Sequence, residues 1–140
     1  MITDLSTRYL GLELPHPLVA AASPLGAKLA TATQPEQAGA AALVLPSLFE
    51  EQIVHDQEQF ATLPDTGSHS FAEAMSYFPA MEEYRTGTED YLDLIKDTKK
   101  SLSIPIIASL NGTSTGGWTG YAKSIAEAGA DALELNIYFL

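Results

Sequence analysis

Parallel βα units are the fold class this sequence predicts, and three observations carry it. Short runs recur as PLVAAAS, AALVLPS, IPIIASL and DALELNIYFL, each of strand length and nearly continuously apolar, as strands covered on both faces are. Between them lie Ala-rich or amphipathic stretches at helical spacing. The phrase AGAAALVLP, Ala38 to Pro46, returns as AGADALELN, Ala128 to Asn136. Read twice, it is a helix end, a glycine cap and a strand entry.

The elements follow in order. STRYLGLEL, turning at Gly11, suits a small surface hairpin. HPLVAAAS, His16 to Ser23, is led by Pro15 and Pro17 and stopped by Pro24, and predicts a first core strand buried on both faces. LATATQPEQAGA is a helix closed by Gly39, and AALVLPS is a second strand ended by Pro46. The stretch from Phe49 to about Thr88 is acidic and aromatic, with turn signals at PDTGS and RTGTED. It reads as an insertion, residues 49–88, whose Phe71, Tyr77, Phe78 and Tyr84 form a small satellite core or a lid. EDYLDLIKDTKKSL, Glu89 to Leu102, carries acids early and lysines late, matching the helix dipole. IPIIASL, Ile104 to Leu110, is a third strand, followed by the turn NGTSTGG. Trp118 anchors the next helix, WTGYAKSIAEAGA closes at Gly129, and DALELNIYFL is the fourth strand.

Composition narrows the function classes. The 140 residues carry a net charge of −11, which disfavours nucleic acid and anionic membrane as partners. There is no cysteine, so thiolate catalysis, disulfides and Cys-based metal sites are excluded from the chain. His16, His55 and His69 lack a ligand-like spacing, and no metal is expected. No apolar run approaches the roughly 18 residues of a membrane span, and MITDLSTRYL has no signal-peptide pattern. A cytoplasmic protein acting on a small molecule is the expectation.

Four such strands suit either an open doubly wound sheet or half of a (β/α)8 barrel, a fold that usually takes ~250 residues. No GxGxxG follows the first strand, which disfavours a dinucleotide site. In both architectures chemistry gathers at the carboxyl ends of the strands. The candidates there are Ser23, Ser47, Ser109, Asn111 and Asn136. All are small, neutral hydrogen-bonding residues, suited to the edge of a planar polar heterocycle, although serine and asparagine also form ordinary turns. Asn136 interrupts an otherwise apolar strand, so a buried amide with a partner is expected.

These phrases, in this order, resemble the amino-terminal half of the dihydroorotate dehydrogenase family, and most closely its dihydroorotate dehydrogenase-like members. PLVAAASPLG, AGAAALVLPSLFEEQI, PIIASLNG and AGADALELNI carry the likeness. The resemblance implies half of an FMN-dependent (β/α)8 TIM barrel and a flavoprotein of pyrimidine biosynthesis, with hydride passing from dihydroorotate or a related small molecule to the flavin. It places Ala22, Ser23, Ser47 and Ser109 at the flavin and Asn136 at flavin and substrate. Where the family has Lys-Ser, this chain has Pro46-Ser47, and the proton-abstracting residue falls on Phe139, which cannot act as a base. The catalytic residue is therefore unassigned. A non-catalytic barrel relative that binds a ligand or partner is the alternative, beside an inactive truncated fragment. Half a barrel exposes a strand edge and should aggregate or form homo-oligomers.

Overall fold

The computed structural model describes residues 3–53, 87–112 and 118–137. The predicted hairpin is β1 (Thr7–Tyr9) paired antiparallel with β2 (Leu12–Leu14). Leu10 (φ 53) and Gly11 (φ 82) make its turn. Next come β3 (Val19–Ala20), a 3-10 turn over Pro24–Ala27, and α1 (Leu29–Gln37). They are followed by β4 (Ala42–Phe49), α2 (Thr88–Ser101), β5 (Ile106–Gly112), α3 (Thr119–Ala128) and β6 (Ala132–Ile137). β3, β4, β5 and β6 form one parallel sheet in sequential order.

Side-chain parity sorts this sheet into two faces. Leu43, Leu45 and Leu48 of β4 and Ile106, Ala108 and Leu110 of β5 join Ala32, Tyr91, Ile95 and Ile125 from the three helices in the larger core. On the opposite face Ala42, Val44 and Ile107 pack with Val19, Ala132 and the hairpin residues Leu12 and Leu14. The described helices thus cover one face and the hairpin covers the other. Sequential order with helices on a single face differs from a doubly wound sheet, which places helices on both.

The repeated phrase is the same local device twice. Gly39 (φ 87) and Gly129 (φ 102) adopt the left-handed conformation. After α1 the N–H of Gly39 donates to Glu36 O and that of Ala40 to Pro35 O; after α3, Gly129 donates to Ala126 O and Ala130 to Ile125 O. Both ends are Schellman-type closures that satisfy the last helical carbonyls.

Three expectations need correction. The first strand is not the fully buried run His16 to Ser23. Only Val19 and Ala20 pair, both half-buried, and Leu18 is 71% exposed. Among the described residues this strand has β4 on one side and no neighbour on the other, and Pro17 has no N–H to give a ladder. The second strand does not stop at Pro46 but runs through a register shift between Val44 and Ser47 as far as Phe49. Residues 50–53 then continue as helix, so regular structure enters the stretch read as an insertion. Its remainder, 54–86, with His55, His69, Phe71, Tyr77, Phe78 and Tyr84, lies outside the described residues, as do 113–117 and Phe139.

Candidate functional site

The bulge in β4 decides what reaches the hairpin-side face. Between Val44, opposite Ile107, and Ser47, opposite Ser109, β4 spends one residue more than β5. Pro46 occupies this bulge, one of the few places inside a sheet that tolerates a residue without an N–H. Its ring packs where Gly26 leaves room, since a Cβ on Gly26 would lie 3.2 Å from Pro46 Cδ. The extra residue returns Ser47 to the same face as Val44, beside Ser109.

From there a polar row crosses the sheet toward the carboxyl ends of the strands. Ser47 Oγ lies 2.8 Å from Ser109 Oγ, and Ser109 Oγ donates to Glu134 Oε1 at 2.8 Å. Asn136 Nδ2 donates to Ser109 Oγ at 3.3 Å and to Glu134 Oε1 at 3.2 Å. Ser109 is opposite Ser47 on one side and Glu134 on the other, and Asn111 is opposite Asn136. A hydroxyl has one proton. With Ser109's proton on the Glu134 carboxylate, its oxygen can only accept from Ser47, which is therefore the donor of that pair. One further group stands out: Asn111 Oδ1 is buried and has no hydrogen-bond partner among the described residues.

Ser109 is held from beneath by a side chain that the apolar reading of α2 conceals. Pro105 O accepts from β4, while Ile106 O accepts from the start of β6. Alternation along the strand then turns the peptide groups of Ser109 toward β4, at the bulge. The hydroxyl of Tyr91 takes both, accepting from Ser109 N at 2.9 Å and donating to Ser109 O at 3.2 Å. Tyr91 is 1% exposed. Burial, helped by the nearby Glu134 charge and opposed by the bond to Ser109, pushes its phenol up to about 12.

A cleft of about 710 Å³ opens between the hairpin and this face, lined among others by Arg8, Tyr9, Val19, Ala22, Ile107 and Glu134. Arg8 is ion-paired with Glu13 at 3.2 Å. Of the sequence candidates, Ser47, Ser109 and Asn136 meet directly, and Ala22 lines the cleft. Ser23 stands apart: it begins the 3-10 turn, accepting from Gly26 N with its carbonyl, and its hydroxyl makes no capping bond.

Two expectations change. Asn136 is exposed rather than buried, because among the described residues β6 has a sheet neighbour on one side only. The row is also not neutral, since Glu134 stands at its centre. Its signal was the shared parity of Glu134 and Asn136, opposite to that of Leu133 and Leu135. Among the described residues no group of His, Asp and Glu could hold a metal, and no helix is long and apolar enough to cross a membrane.

No protein-family model matches the chain. It is 28% identical over 134 residues to a protein of Aeropyrum pernix described as "Putative dihydroorotate dehydrogenase A (fumarate)". The match covers 96% of this chain and 41% of that relative. The chain is thus similar, along nearly all of its length, to part of a larger protein bearing an oxidoreductase's name.

Proposed function

We propose that this chain is the amino-terminal half of a (β/α)8, FMN-dependent oxidoreductase of the dihydroorotate dehydrogenase type, acting on a small heterocyclic substrate. The observation that carries the reading is the row Ser47, Ser109, Glu134 and Asn136, aligned across adjacent parallel strands toward their carboxyl ends. Sequential strand order with helices on one face supports the barrel. The similarity to the Aeropyrum pernix protein supports the chemistry.

The side chains fit the polar edge of a flavin ring. Asn111 Oδ1 is a buried acceptor without a partner, Ser47 Oγ has lone pairs to offer, and the Asn136 amide is exposed. When bound, FMN supplies a two-electron acceptor for hydride. The chain itself contributes orientation: Tyr91 fixes the backbone at Ser109, and Ser109 fixes the hydroxyl of Ser47 and the amide of Asn136. The cleft's basic residue, Arg8, is paired with Glu13. Purified protein incubated with FMN and then desalted is expected to keep visible flavin absorbance; complete loss of the flavin overturns the reading.

A second reading, a non-catalytic barrel relative, is favoured by Pro46, whose ring fills the bulge beside Gly26 and brings neither charge nor proton to the mouth. Rapid mixing of flavin-loaded protein with dihydroorotate or dihydrouracil separates the two. Bleaching by either compound selects the enzyme, and silence with both selects the binder.

A further inference from the structure

Deepening the reading just given, and resting on it for the identity of the site, we infer that Glu134 makes this mouth selective for an uncharged or cationic ring bearing N–H donors, and against carboxylate ligands. Two observations meet here. The first is charge. Glu134 lines the cleft and receives only neutral donors, Ser109 Oγ and Asn136 Nδ2. The described cations pair elsewhere: Arg8 with Glu13, Lys96 with Asp93, Lys99 with Asp131, Lys100 with Asp97 and Lys123 with Glu127. Lys28 is exposed at the start of α1 and does not line the cleft. Among the described residues lining the cleft, Glu134 is the one carboxylate, and the cation Arg8 is paired with Glu13 outside the lining.

The second observation is hydrogen-bond direction, which the same carboxylate imposes on its neighbours. A carboxylate accepts, so Ser109 donates to it, and Ser47 must donate to Ser109. Toward a ligand, Ser47 then presents lone pairs. Glu134 and Ser47 thus supply the row's acceptors, with the exposed Asn136 amide as its principal donor. A ring with N–H groups fills this pattern. A ligand carboxylate brings lone pairs to lone pairs and a second negative charge beside Glu134, and a site built to receive donors rejects a ligand that lacks them.

The matched pair dihydrouracil and dihydroorotate, the same ring without and with a carboxylate, tests this by isothermal titration calorimetry of the protein. Dihydrouracil should bind at least about tenfold more tightly than dihydroorotate, the scale expected for like charges in a partly shielded cleft. In Glu134→Gln, which keeps size and an acceptor, the preference should shrink toward parity, chiefly through tighter dihydroorotate binding. Added salt should narrow the wild-type gap in the same direction, a readout that holds even where the variant fails to fold. Equal or tighter binding of dihydroorotate, no binding of either compound, or a preference unchanged in both Glu134→Gln and high salt would each overturn the inference. The titration reads heat rather than flavin colour. A protein that keeps FMN yet prefers dihydroorotate defeats this inference alone, and one that selects dihydrouracil without holding FMN defeats only the flavoenzyme reading.

Discussion

Tyr91 shows how much one hydroxyl can carry. It is the partner of two buried peptide groups of Ser109, so Tyr91→Phe leaves an N–H and a C=O unpaired at a cost of about 2–3 kcal/mol, measurable by urea unfolding. Its phenol also links stability to alkaline pH. The folded value, about 12, lies above the ordinary 10.0. The contribution is therefore complete below pH 10 and is lost as pH rises through 12, by ~2–3 kcal/mol. The difference between wild type and Tyr91→Phe across that window isolates this contribution from the other tyrosines. Legibility at this scale was uneven. Ser47, Ser109 and Asn136 were readable because strand-end positions in parallel sheets are predictable from the alternation of elements. Tyr91 was not, since its place on the apolar side of α2 hides a hydroxyl whose partner is created by a bulge in another strand. Glu134 was readable only by parity, and the apolar look of LEL-IYFL obscured it.

At the scale of elements, the two glycine closures and two cross-links at the opposite ends of the strands set the geometry. Gly39→Ala and Gly129→Ala force a Cβ into the left-handed region and should each cost about 1–2 kcal/mol in chemical denaturation. Glu36, at the end of α1, accepts from the hydroxyl and the N–H of Ser103 ahead of β5, at 2.6 and 2.7 Å. The Ser103 hydroxyl first, then its N–H, hold the Glu36 carboxyl below the usual glutamate range. The stability this adds is present above that range and is lost as pH falls through the lower folded value. Glu36 is exposed to solvent, so the effect is small and screened. Glu36→Gln should slightly lower the neutral plateau of a stability–pH curve and so flatten its acid limb. Asp131 performs the parallel task between β5 and β6, accepting from Ile106 N at 2.8 Å and from Lys99 Nζ at 2.6 Å. The element order, the glycine caps and the amphipathic α2 were all legible, because caps and periodicity are local. The length of β3 and the bulge in β4 were not, because each depends on which neighbour the sheet provides.

For the whole molecule, no strand lies beyond β6 among the described residues, and Ile137 is 61% exposed there. An unpaired parallel edge with an apolar end predicts concentration-dependent association. Ile137→Lys should move the protein toward a monomer in size-exclusion chromatography, with little change in helical content by circular dichroism. The parallel βα class was legible from alternation, whereas the electrostatic character of the mouth was not, because it follows from contacts between residues distant in sequence. The cross-links, the glycine closures and the hairpin's apolar plug all gather at the amino-terminal pole of the strands, while the polar row lies at the other. Most of the scaffold is therefore held away from the chemistry, with Tyr91 the link between them. Substitutions along the row can drift from one ligand to another while the fasteners stay shut, so a lineage built on this chain can change its trade without first having to relearn how to fold.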